Sequence, residues 1–235
     1  MSKRFTKIQF NFPYLIFAFV FISITMWVTI RLWGSSLGKQ KQPITVFNDK
    51  NISMFIKQKT GINIESMTIA ESDRPFAMMV GIPSRPQLIL SRYLFSTFSP
   101  EALEYVLLHE TGHYVLWHTV IEMFAGITFL ILGIMILRRI HQNFRVYFAA
   151  VLLGVLFGIC MIRLGRIHEY NADGYTLKHI SNPNGMIEAT KNFRGYYGMN
   201  FTENKNSLVQ WLFYRSNPYD NRIKMAEKEI NRRSQ

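Results

Sequence analysis

Cysteine is nearly absent. The 235 residues contain one, Cys160, so no intramolecular disulfide can form and no cysteine-based metal centre can be built. A lone cysteine inside an apolar run is compatible with either side of a membrane. Acidic residues are also scarce, 15 against 27 lysines and arginines, for a formal net charge of +12. A basic chain suits nucleic acid, or it carries cationic flanks beside membrane segments. There is no nucleic-acid-binding motif and no stacked-aromatic pattern, so nucleic acid is set aside as a partner. Internal repeats and low-complexity tracts are missing too, and the length suits one or two small domains.

What the chain does have is hydrophobicity gathered into three long runs. The first lies in 10–33 and has no charge between Phe10 and Ile30. That length can cross a bilayer. Lys3, Arg4 and Lys7 precede it, Arg31 closes it, and Trp27 and Trp33 suit the membrane interface. The run is long for a signal-peptide core and no small-x-small cleavage site follows, so an uncleaved anchor is expected. The second run covers 119–137 and the third 146–163, joined by a short basic loop, 138–145. Glu122 near the start of the second run either sits at the interface or faces the interior as a functional group; the interface is preferred. Gly154 and Gly158 have a small-xxx-small spacing that lets membrane helices approach closely.

The runs divide the chain into an N-terminal 1–9 segment, three spans, and two parts of one domain, 34–118 and 164–235. After a polar linker at 34–42, Ile44 to Phe47 reads as a strand and Asn51 to Thr60 as a short helix stopped by Gly61. Asn63 to Ala70 alternates imperfectly and reads as a strand. Pro75 to Val80 and Gln87 to Ser91 read as a hairpin across the Pro-Ser-Arg-Pro turn. Ser99-Pro100-Glu101 then opens a helix: an N-cap, proline at the first helical position and an acid in the first turn.

Inside that helix stands His109-Glu110-Thr111-Gly112-His113. Residues four apart share a helix face, so His109 and His113 can direct two imidazoles at one ion, and Zn²⁺ accepts such ligands. Glu110 lies near the ion's open position, where it can hold a water and take its proton. Gly112 either permits close backbone packing beside the site or is a tolerated surface glycine. Beyond the third run, Glu169 and Asp173 are again four apart on a helical stretch, Leu164 to Ile180. They are either a solvated acid pair, or a third metal ligand with an acid behind it that orients a histidine. The upstream motif favours the second reading for Glu169. His168 projects about 100° away and is the weaker candidate. Met186 to Phe193 and Arg222 to Arg233 read as helices in a basic tail.

Taken together, Arg74 to Gly81, Leu88 to Ser91, Ser99 to Leu103, His109 to His113 and Glu169-Tyr170-Asn171-Ala172-Asp173 resemble, in order, the HtpX-like and CAAX-prenyl-endopeptidase-like gluzincin metallopeptidases. The resemblance spans about Met67 to Ile223. It implies zinc, one per chain, held by His109, His113 and Glu169, with Glu110 as general base and Asp173 behind the ligands. Asn217-Pro218-Tyr219-Asp220-Asn221-Arg222-Ile223 is similar to the family's late H-P-x-x-x-R-I element. Arg222 matches its arginine. Asn217 stands where the family has a histidine near substrate or transition state, and it cannot become cationic. BlaR-type sensor metallopeptidases share the zinc helix and the Arg-Pro-Phe approach to it, but not the later elements.

The expected fold is α+β and mostly helical: a zincin-like core with a small sheet, plus three transmembrane helices. The two ligand segments must meet, so the run between them leaves and returns, which two crossings satisfy. The cationic segments Lys3, Arg4, Lys7 and Arg138, Arg139, Arg145 belong in the cytoplasm by the positive-inside rule. That makes the catalytic domain extracytoplasmic, the cytoplasm being the alternative. The expected activity is zinc endopeptidase cleavage of membrane or membrane-near proteins. A peptide would add to the edge at Phe76, Ala77, Met78, Met79 and Val80, unless that stretch is a plain core strand. A weak or inactive zinc-binding membrane sensor is the alternative.

Overall fold

The computed structural model describes residues 20–21, 44–46, 50–82, 85–140, 143–198 and 207–235. The first hydrophobic run lies outside these except at Val20 and Phe21. The chain forms two compact units, one of Lys39–Glu122 with Ile162–Gln235, the other of Met1–Gly38 with Met123–Met161.

The first unit carries a small mixed sheet. Its strands are β1 (Ile44–Val46), β2 (Ser66–Ala70), β3 (Ala77–Ile82) and β4 (Arg85–Ser91), in the order β1-β2-β4-β3. β1 runs antiparallel to β2, β2 parallel to β4, and β4 antiparallel to β3. The expected hairpin is therefore present, and β3 is an outer strand. Leu88 and Leu90 alternate inward with Met67, against Ile56 of helix α1 (Lys50–Thr60) and Leu107. Gly61 ends α1 with φ +76, the left-handed conformation that suits glycine. Ser91 is fully buried and its Oγ accepts from the Phe76 and Leu94 amides at 3.0 and 3.2 Å. It fixes the entry to β3 and caps a short helix that the sequence did not signal, α2 (Arg92–Thr97).

Helix α3 (Pro100–Val115) starts as expected, with Ser99 Oγ accepting from the Ala102 amide at 3.1 Å. It is buried on several sides. Leu107 joins the sheet cluster, while Ala102, Tyr105, Val106 and Leu108 join a second core with Met186, Ala189 and Ala226. α4 (His118–Arg138) follows almost at once. The two-residue break is sharp because Trp117 has φ +58. Left-handed backbone costs about 1–2 kcal/mol for a residue with a Cβ.

α5 (Asn143–His179) is one helix of 37 residues, about 55 Å long. The sequence reads the third hydrophobic run and the 164–180 segment separately, yet no proline or loop signal divides them, and the structure joins them. α6 (Asn184–Tyr197) lays its first turn on α3 so closely that a Cβ at Gly185 would collide with the Glu101 carbonyl. A second unexpected short helix, α7 (Ser207–Phe213), precedes α8 (Tyr219–Arg233). Arg233 donates to the carbonyls of Leu177, Ile180 and Ser181 at 2.7–3.1 Å, capping α5.

In the other unit, Leu137, Val146 and Ala150 pack together at the tip of the α4–α5 hairpin. Many apolar side chains face outward; Phe124 is 59% and Phe148 66% exposed. An apolar surface of that kind is suited to lipid rather than water. Among the described residues, two helices, His118–Arg138 and Arg145–His179, are long and apolar enough to cross a membrane. Of the two spaced glycines, Gly154 is in close contact, with a Cβ there 3.1 Å from Val20, whereas Gly158 has nothing within 4 Å.

Candidate metal centre

His109 and His113 on α3 and Glu169 on α5 converge. His109 Nε2 lies 3.2 Å from His113 Nε2 and 3.4 Å from Glu169 Oε2. His113 Nε2 lies 3.5 Å from Glu169 Oε1. Ligands about 2.0–2.1 Å from a tetrahedral Zn²⁺ stand about 3.3–3.4 Å from one another. The three side chains thus already have the spacing of three corners of a zinc tetrahedron, and they form the one such His/Cys/Asp/Glu group among the described residues. Gly112 makes the approach possible. A Cβ there would lie 3.1 Å from Tyr175 Cδ1 and 3.3 Å from Ala172 Cα, one helical turn from Glu169. The close-packing alternative for this glycine is the one observed.

Behind the donors lies a buried charge network. Asp173, fully buried, accepts from Tyr105 Oη at 2.7 Å, Asn217 Nδ2 at 2.7 Å and Arg222 Nε at 3.0 Å. Its Oδ1 is also 2.9 Å from His109 Nδ1. Arg222 donates its Nη2 to Glu169 Oε2 at 2.9 Å. Burial opposes a charged His109, but Asp173 and Glu169 outweigh it and lift the imidazole to about 10. Positive charge is therefore favoured at this point, which is what a bound cation supplies. Burial also opposes the Arg222 charge, yet Asp173 and its neighbours hold that group above its ordinary range.

Glu110 is outside the donor group and lines an open cleft with His109, Ala77, Phe193, Tyr197 and Tyr219. Burial pushes its carboxyl up to about 7, only partly offset by the charge of His109. The Met79 backbone hydrogen-bonds to Glu110, so β3, holding four of the five expected edge residues, adjoins the site. Phe76 immediately precedes the strand.

Two expectations need correction. Asn217 does not face the cleft. It is fully buried, and its amide is spent on Asp173 and on a bond from Asn221. A neutral side chain fits there because Arg222 already supplies the cation to Asp173. Glu122 turns inward, where its Oε1 accepts from Arg215 Nη2 at 2.6 Å and lies 3.0 Å from His168 Nδ1. An acid at the head of an apolar run is stabilised by such partners. Sequence reasoning missed Tyr105, Arg215 and His118, none of which belongs to a short motif.

Residues 49–230 match peptidase family M48. The chain belongs to that family. Members of M48 are zinc-dependent metallopeptidases, in keeping with the donor set here. Among solved structures the chain is similar to Ste24p of S. mikatae, with a TM-score of 0.66 at 16% identity over 92% of this chain. It spans 60% of that protein's length, and at this identity the likeness is one of fold. No curated protein matches the sequence.

Proposed function

We propose that this M48 protein is a zinc endopeptidase that cuts membrane or membrane-near proteins. His109, His113 and Glu169 would hold the ion. The carrying observation is the spacing of their three donor atoms, 3.2–3.5 Å apart, beside a carboxylate that is not one of them. When bound, zinc supplies Lewis-acid polarisation of a scissile carbonyl and acidifies water. Glu110 accepts the proton of the attacking water and returns it to the leaving amine. Arg222 and Asp173 keep the donors in register from behind. The outer edge of β3 gives a peptide a strand to pair with, and Phe193, Tyr197 and Tyr219 form an aromatic wall for an apolar side chain.

A zinc-binding sensor without catalysis is the rival reading. Structural zinc has no need of a base in an open cleft, and Glu110 is one. Purified protein is expected to degrade casein or itself, to stop with chelator, and to resume when zinc is restored. Cleavage that persists after the metal has been stripped would defeat the proposal.

Both ligand-bearing segments fall in one compact unit and the hairpin between them in the other. Two crossings return the chain to the side it left, and the cationic flanks support an extracytoplasmic catalytic unit. A periplasm- or surface-active reporter fused after Arg233 should therefore be active, and a cytoplasm-dependent reporter silent. The reverse pattern would place the catalysis inside.

A further inference from the structure

The two candidate imidazole ligands are supported differently. His109 has a carboxylate behind its Nδ1. His113 has another imidazole: His118 Nδ1 lies 2.8 Å from His113 Nδ1. His118 is 3% exposed, and its ring stacks on His168 with centroids 4.1 Å apart and planes 5° from parallel. His168 is held in turn by Glu122, and Glu122 by Arg215.

We propose that His118 is a positioning residue for the metal: it accepts a hydrogen bond from His113 Nδ1 and so aims the His113 Nε2 lone pair at the ion. Two nitrogens 2.8 Å apart share one proton. His113 Nε2 is the atom that faces His109 Nε2 and Glu169, so it must be unprotonated to bind a cation. The proton of the neutral ring is then on Nδ1. His118 is left as the acceptor, with its own proton on Nε2. If His118 instead donated through Nδ1, the His113 proton would be driven onto Nε2, where the ion belongs. The stack on His168 fixes the plane of the His118 ring and thereby the direction of its lone pair.

The backbone is bent to make this contact. On an unbroken helix a residue five positions on lies about 140° around the axis from His113. The left-handed turn at Trp117, an exposed aromatic, breaks α3 and restarts the chain as α4 with His118 facing back. Strain of this kind persists where the surrounding structure holds it, often at functional sites.

The inference rests on His113 being a metal ligand. Its test is zinc affinity, measured on the full-length purified protein by competition with a chromophoric chelator. His118→Asn places an amide oxygen where Nδ1 was, while His118→Phe keeps the stack and removes the acceptor. His118→Phe is expected to weaken zinc binding about 10- to 100-fold, and His118→Asn to stay close to wild type. A role in packing alone predicts the opposite order. That order, or equal binding by wild type and His118→Phe, overturns the proposal. Should His118→Phe not fold, nitrogen-15 NMR of the zinc-loaded wild type decides. Protons on His113 Nδ1 and His118 Nε2 are expected; a proton on His118 Nδ1 overturns it. Wild-type protein that binds no zinc overturns the ligand assignment itself, and this inference with it.

Discussion

Glu110→Gln is expected to slow peptide cleavage by about 10²–10⁴-fold while zinc binding stays at the wild-type level. The substitution replaces one oxygen by an amide nitrogen and leaves the shape of the side chain almost unchanged. It removes the capacity to take a proton from water. The donor group of His109, His113 and Glu169 does not include Glu110, so the metal is not disturbed directly. Residual activity should be the part supplied by metal and positioning alone. The measurement is single-turnover cleavage of casein or a membrane-anchored peptide, with zinc per chain determined on the same sample. A variant that keeps its zinc and turns over as fast as wild type would remove Glu110 from the chemistry. A variant that loses its zinc would show that the carboxylate helps to hold the metal instead.

Asp173→Ala should be the most damaging single change to stability, at about 3–5 kcal/mol. The carboxylate is fully buried and serves four partners at once: Tyr105, Asn217, Arg222 and His109. Truncation leaves the Arg222 guanidinium with one carboxylate where it had two, in a place water hardly reaches. It also leaves the Tyr105 hydroxyl and the Asn217 amide without their acceptor. For a chain of this size the loss corresponds to a drop in Tm of roughly 6–20 °C. A thermal melt of the purified protein reads it directly. Arg222→Met added to Asp173→Ala should restore part of the loss, because it removes the stranded charge. A drop of less than about 1 kcal/mol for the single variant would mean that solvent reaches the network and screens it.

Much of this centre could be read from residue order. Spacings of four on helices brought out His109, His113, Glu169 and Asp173, because helical geometry alone decides which side chains share a face. Capping chemistry placed the start of α3 at Ser99, and glycine placed the end of α1. The hairpin was legible in its two apolar runs and the proline-bearing turn between them. Other contacts depend on distant pieces meeting, and no local pattern encodes that. Tyr105 reaches Asp173 across 68 positions and Arg215 reaches Glu122 across 93. His118 was hidden for a different reason. Its spacing from His113 is wrong for a helix, and only the left-handed Trp117 makes it right. The family's histidine near substrate is no guide to Asn217, because the buried Asp173, distant in sequence, draws its amide away from the cleft. The extent of α5 was missed because a lipid-facing run and a ligand-bearing run differ in composition yet share one uninterrupted helical backbone.

The division of the donors between two helices has a consequence for assembly. His109 and His113 stand on α3 and Glu169 on α5, so neither helix by itself offers all three corners of the site. A tightly held ion would therefore report that the two helices have met, and metal content per chain would double as a gauge of correct folding.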